Sequence, residues 1–176
     1  MHLNARSLSK NINSITNELS QLSNKPSIIA ISETWSTSDD DSFPIAGYSC
    51  IIKSRKNKIG GGVALYLQNK IGLKYKLRPD LNIDTTTDSL FIQISNVKSK
   101  DIVVGVIYKP PNVDVECFVT NFEQTLKTIT KEGRPCYLMG DYNINLLKHN
   151  THLPTKSFLD TLLSFGFYPL INKPHE

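Results

Sequence analysis

Cys136-Tyr137-Leu138-Met139-Gly140-Asp141-Tyr142-Asn143 is the stretch whose reading decides this chain. The apolar run at 136–139 reads as a short strand that finishes in Gly-Asp-Tyr-Asn. Side chains along a strand alternate faces with period two, so Asp141 and Asn143 are sent one way and Tyr142 the other. An acid and an amide presented together at a strand's end suit a water or a metal ion. The same residue types are also the commonest turn formers, and on this stretch alone a plain turn is the stronger reading. The rest of the chain has to decide between the two.

The sequence has 176 residues, enough for one domain with a real core. Apolar residues make up 39% and charged residues 20%, which excludes a disordered or fibrous chain. No apolar run approaches the ~18 residues needed to span a bilayer, so no membrane partner is expected. Met1-His2-Leu3-Asn4-Ala5-Arg6-Ser7 lacks the basic-then-apolar layout of a signal peptide. Cys50, Cys117 and Cys136 are odd in number and without CxxC spacing, so they read as buried thiols of a reducing compartment. A net charge of +4 is compatible with nucleic acid without being diagnostic. Part of it is clustered in Lys53, Arg55, Lys56 and Lys58, just before Gly60-Gly61-Gly62. That cluster is either a solvated hairpin or a phosphate-contacting loop, with Arg55, Lys56 and Lys58 as its nucleic-acid candidates. The glycines are not a P-loop, because no Gly-Lys-Ser/Thr follows.

Leu8, Ile12, Ile15, Leu19 and Leu22 recur at spacings of four and three, one face of an amphipathic helix. Ser7 or Ser9 is its expected cap, and residues 24–26 close it. The continuous apolar run 28–31 predicts a strand buried on both faces, ending at Ser32-Glu33-Thr34-Trp35. A solvated connection is expected around Asp39-Asp40-Asp41. Strands are expected at 48–52 and 62–67, about the basic turn, and at 89–94 and 102–108, the last stopped by Pro110-Pro111. Phe118, Phe122, Leu126 and Ile129 mark a second helix closed by Gly133. A third runs through Phe158, Leu159, Leu162 and Leu163, with Thr155 or Ser157 as cap and Gly166 as stop, before a final strand at 168–171. The order fits an α+β fold of two mixed sheets packed face to face with helices outside.

Ligand sites in layered folds collect at strand ends, and four strand ends here carry polar residues: Asn4, Glu33, Tyr108, and Asp141 with Asn143. A carboxylate, an amide oxygen and water are what a hard cation such as Mg²⁺ prefers, and such an ion polarises a phosphoryl oxygen. Asp141 is suited to orient or deprotonate a water and Asn143 to fix its direction. Tyr108 is suited to donate to a phosphate oxygen. Each residue also has a plainer reading: a cap for Asn4, a solvated carboxylate for Glu33, a packed aromatic for Tyr108.

Taken in order, Asn4, Glu33-Thr34, Val106-Ile107-Tyr108-Lys109-Pro110-Pro111 and Gly140-Asp141-Tyr142-Asn143 resemble the endonuclease/exonuclease/phosphatase superfamily, which includes the apurinic/apyrimidinic endonucleases and DNase I-like nucleases. More narrowly, Leu3-Asn4-Ala5-Arg6-Ser7-Leu8, Ile31-Ser32-Glu33-Thr34-Trp35, Gly60-Gly61-Gly62-Val63-Ala64 and Leu170-Ile171-Asn172-Lys173-Pro174 resemble the endonuclease domain of non-LTR (LINE-type) retrotransposons. The resemblance implies a four-layer αββα sandwich and Mg²⁺-dependent (or Mn²⁺-dependent) hydrolysis of a phosphodiester. It makes Glu33 the principal metal ligand, supported by Asn4, and Asp141, Asn143 and Tyr108 the catalytic residues. In the retrotransposon setting it implies DNA as substrate, a nuclear location, and a reverse transcriptase downstream in the intact element.

Relatives of this kind end in a later aspartate and a Ser-Asp-His-type segment, and commonly read Lys-Pro-Thr-Arg where this chain has Lys173-Pro174-His175-Glu176. The expectation is therefore a single, C-terminally incomplete domain over residues 1–176, missing its last strands. An unpaired edge strand, uncovered apolar surface and little or no nuclease activity should follow. Arg6 stands where many apurinic endonucleases carry an acid, and His149 and His152, despite HxxH spacing, read as surface residues. A catalytically dead remnant that at most binds nucleic acid, and a phosphatase of the same superfamily, are the competing readings.

Overall fold

The computed structural model describes residues 1–170 apart from 56–59, 73 and 96–98. Two four-stranded sheets stack face to face. The first is ordered β1(His2–Asn4), β2(Ile28–Ser32), β4(Val63–Gln68), β3(Tyr48–Lys53). The second is ordered β5(Tyr75–Leu77), β6(Asp88–Ile94), β7(Ile102–Tyr108), β8(Cys136–Asp141). Each sheet has one parallel pair at an edge, β1 with β2 and β7 with β8, and is otherwise antiparallel. Parallel neighbours need a long crossover. α1(Leu8–Gln21) supplies it between β1 and β2, and α2(Val115–Glu132) between β7 and β8. α3(Leu153–Ser164) follows β8.

Three apolar layers hold this together. Leu8, Ile15 and Leu19 of α1 bury against Ile29, Ile31, Ala64 and Tyr66 on the outer face of the first sheet. Ala30, Val63, Leu65 and Leu67 face Leu90, Ile92, Val104 and Val106 between the sheets. Phe118, Phe122, Leu126 and Ile129 of α2, with Phe158 of α3, cover Phe91, Val103 and Ile107 on the outer face of the second. The arrangement is helix, sheet, sheet, helix, an α+β sandwich. Because both faces of β2, β4, β6 and β7 are buried, those strands read as continuous apolar runs instead of alternating ones.

The structure corrects several expectations. Residues 168–170 form no strand, because their backbone pairs with no strand among the described residues; Tyr168 and Leu170 stand largely in solvent, and Ile171 lies outside the described residues. α3 begins at Leu153, and its cap is the ring of His152, which accepts from the Thr155 N–H, in place of Thr155 or Ser157. Ser7 holds the cap position of α1, but its hydroxyl pairs with that of Ser9. The open N–H groups of Ser7 and Leu8 donate instead to the Glu33 and Thr34 carbonyls, at 2.9 and 2.8 Å. Cys50 and Cys117 are exposed and only Cys136 is partly buried, although all three are free thiols. The acidic loop is tied down: the Asp41 carboxylate accepts from Ser36 Oγ and the Thr37 and Ser38 amides, and Asp39 from Ser54. Strand β5 and the short 3-10 turns at Asn69–Ile71, Pro79–Leu81 and Leu146–Lys148 carry no periodic signal and are not foreseen. β8 pairs only with β7 among the described residues, and Tyr137 on it is exposed. No helix among the described residues is long and apolar enough to cross a membrane.

Candidate active site

Parallel pairing brings the C-terminal ends of β1 and β2 to one place and those of β7 and β8 to another. Asn4 stands in register with Ser32, one residue before Glu33, and Tyr108 in register with Asp141. Stacking the sheets then joins the two edges. Asn4 Nδ2 donates to Glu33 Oε1 and to Asp141 Oδ2, both at 2.7 Å. Residues 137 positions apart in the chain thus share one amide, which is the central fact of the site. Tyr108 lies beneath it at the end of the inter-sheet core, and burial first, then the Glu33 carboxylate, raise its phenol above the ordinary range.

Asn143 is arranged differently from a pure water ligand. Its Nδ2 donates to the Lys109 carbonyl at 2.8 Å, while its own N–H donates to Asp141 Oδ1 at 3.0 Å. The Lys109 N–H donates to the Asp141 carbonyl at 3.0 Å, so residues 109 and 141–143 form one braced corner. Tyr142, sent to the opposite face as alternation requires, packs among Phe118, Phe122 and Phe158. Gly140 makes this corner feasible: its φ is +149°, and a Cβ there would fall 1.9 Å from the Ile107 carbonyl oxygen.

The triple glycine serves close approach. The carbonyls of Gly62 and Gly61 accept from the Thr34 and Trp35 amides at 3.2 and 2.8 Å, which anchors the loop that carries Glu33. Gly62 N–H donates to Asp88 Oδ2 at 2.8 Å, and Asp88 in turn takes a two-pronged ion pair from Arg55. A Cβ on Gly61 would fall 2.3 Å from the Arg55 guanidinium carbon. That guanidinium lies 5.5 Å from the centre of the Tyr108 ring. Arg55 is therefore engaged inward, on Asp88 and Tyr108, and Lys53 Nζ donates to the Ser89 carbonyl at 2.8 Å. Lys56 and Lys58 lie outside the described residues.

Among the described residues, the non-glycine positions with left-handed φ are Arg6, Ser7, Glu33, Trp35 and Asn143, and all lie in the segments that build this site. Such conformations cost on the order of 1 kcal/mol or more each and persist where surrounding contacts impose them. His2 lies under the same corner. Its Nε2 is 3.1 Å from Ser32 Oγ, and burial pushes its imidazole down to about 4, with Asp141 opposing that shift, so it is neutral near pH 7.

His149 and His152 are exposed, and among the described residues no three His, Cys, Asp or Glu side chains group as a metal cluster. The pair Glu33 and Asp141 still suits Mg²⁺, which commonly takes one or two carboxylates and leaves its other positions to water and substrate oxygens. The positive end of the Asn4 amide dipole already sits between the two carboxylates, where a cation would be favoured. Asp88, Trp35, Lys109 and His2 also pack around the candidate site, and pattern reading does not nominate them. Asp88 alone carried a usable signal, as an acid heading a buried strand.

A fold of two stacked mixed sheets, with an acid and amide site at their parallel edges, defines a class. The chain belongs to the Endonuclease/Exonuclease/phosphatase family, whose sequence profile matches residues 1–174. The endonuclease domain of TRAS1, a telomere-specific non-LTR retrotransposon, has the same fold, with a TM-score of 0.68 at 14% identity, covering 98% of this chain and 74% of that one. The 3′ phosphatase NExo from Neisseria, bound to a product DNA hairpin, aligns at 0.60 and 21% identity over 94% of this chain and 70% of its own. The APE2 catalytic domain of Xenopus laevis aligns at 0.61 and 15% identity, over 92% and 66%. No curated protein matches the sequence significantly.

Proposed function

We propose that this domain hydrolyses phosphodiester bonds of DNA in a divalent-cation-dependent reaction, in the manner of a retrotransposon-type nicking endonuclease. The observation that supports this most is the Asn4 amide shared between Glu33 and Asp141. Glu33, supported by Asn4, would hold Mg²⁺ or Mn²⁺, and a bound cation supplies polarisation of a phosphoryl oxygen and neutralises charge built up at phosphorus. Asp141 orients the attacking water and accepts its proton as the water oxygen bonds to phosphorus and the P–O3′ bond breaks, the leaving 3′-oxygen taking a proton from solvent. Asn143, through its N–H to Asp141 Oδ1, holds that carboxylate in line. Tyr108, protonated at neutral pH, donates toward a phosphate oxygen. Of the basic cluster before the glycines, Arg55 is already paired with Asp88, which leaves Lys56 and Lys58 as its candidates to contribute positive charge for the DNA backbone. NExo and TRAS1, the one bound to DNA and the other an endonuclease, favour a nucleic-acid substrate over an inositol or lipid phosphate.

The test is nicking of supercoiled plasmid by residues 1–176 over long incubation with Mg²⁺. Slow, chelator-sensitive nicking is expected, reduced at least a hundredfold by Glu33→Ala and by Asp141→Ala. Calorimetric binding of Mg²⁺ to the wild type, lost in Glu33→Ala, gives a readout independent of turnover. Nicking that survives both substitutions, or faster turnover of a small phosphomonoester than of plasmid, would overturn the reading.

A further inference from the structure

Trp35 is the chain's single tryptophan, two residues after Glu33, and 40% of its surface faces solvent. Nothing in the proposed hydrolytic chemistry uses it. Its position is nonetheless closely held. Its backbone sits at φ +53°, a conformation unfavourable for a large side chain. Its N–H donates to the Gly61 carbonyl at 2.8 Å, and its indole Nε1–H reaches Glu33 Oε2 at 3.4 Å. The indole edge runs past Gly60, where a Cβ would lie 3.7 Å from Nε1. A large aromatic ring is thus held partly exposed, by a backbone in a left-handed conformation, beside the carboxylate proposed to hold the cation. Arg6, whose backbone N–H donates to Asn4 Oδ1 at 3.3 Å, is also exposed.

We infer that the Trp35 indole is a stacking platform for an unpaired nucleobase flanking the scissile phosphate, so that the substrate is read as a single-stranded or locally opened DNA strand. Every base has a π-face, so a single exposed indole binds bases without selecting among them. Its Nε1–H, held toward Glu33, keeps the ring from rotating away and sets the stacked base at a fixed distance from the hydrolytic corner. A phosphomonoester without a base would gain nothing from this ring. The inference rests on the nucleic-acid reading above and narrows it to a substrate class.

Because Trp35 is the only tryptophan, its fluorescence reports the contact directly. The protein is titrated, in chelator so that no cleavage occurs, with a short single-stranded deoxyoligonucleotide and with an abasic strand of equal length and charge. Saturable quenching by the first, and binding at least tenfold weaker without quenching by the second, is the expected result. With a labelled oligonucleotide followed by anisotropy, Trp35→Phe keeps affinity within about threefold and Trp35→Ala loses at least tenfold. Equal quenching by both strands, or unchanged affinity in Trp35→Ala with an unchanged far-UV spectrum, would refute the platform. The two proposals fail separately. Plasmid nicking with no effect of Trp35→Ala on KM removes the platform and leaves the nuclease. Base-dependent quenching without Glu33-dependent nicking supports the platform and removes the nuclease.

Discussion

Gly140 carries more structural constraint than any polar residue around it. The parallel pairing of β7 and β8 seats it opposite Ile107, and any side chain would meet the Ile107 backbone from a φ that only glycine adopts readily. Gly140→Ala should therefore destabilise the protein by about 3 kcal/mol or more, read as a fall in the urea midpoint with an unchanged slope. Asn143 shows the other side of residue-scale reasoning. Its type and spacing marked it as a site residue, but its amide is occupied in bracing the Lys109 carbonyl. Its influence on a water at Asp141 runs through the backbone N–H it gives that carboxylate.

Helix ends show how elements were legible only in part. Asp114 caps α2, accepting from the Cys117 N–H at 2.9 Å, and Gly133 closes it in the left-handed conformation. Asp114→Ala should cost about 1 kcal/mol by chemical denaturation, since one open N–H loses its partner in a helix already held by buried packing. The α1 terminus obeys no such local rule. Its first N–H groups are satisfied by carbonyls 33 and 34, so the helix and the Glu33 loop are built as one piece. Apolar spacing located both helices because packing on a sheet needs one apolar stripe, whatever caps the end. The segment 168–170 had strand-like composition but no partner strand among the described residues, and composition alone cannot supply one.

Across the whole molecule, the second sheet and α2 are fastened by Arg78. Its guanidinium bonds Asp80, Gln93 of β6 and Glu132 at the end of α2. The hydrogen bonds from Arg78 hold the Glu132 carboxyl below its usual range against the opposing effect of burial. A carboxylate whose folded pKa is depressed adds stability above the ordinary carboxylate range and loses it as pH falls below. Glu132→Gln should accordingly lower stability by about 1–2 kcal/mol near pH 7, after allowance for its partial exposure. The gap to wild type should close as the pH falls below about 4, as seen in thermal unfolding across pH.

The sequence by itself marked most of the elements and nominated the candidate residues of the site. Apolar runs marked β2, β7 and β8, heptad-like spacing marked the helices, and polar residues misplaced at strand ends named Asn4, Glu33, Tyr108 and Asp141. These are local signals, carried by periodicity and by the chemical oddity of a residue beside its neighbours. Only the tertiary structure decided that Asn4 bridges Glu33 and Asp141, that Arg55 turns onto Asp88 and Tyr108, and that Trp35 stands exposed beside the acid. Those contacts join β1 to β8, and the glycine turn to the head of β6, across distances in the chain that no period encodes. They come into being when two sheets, each with a parallel edge, are stacked by burial of the apolar faces between them.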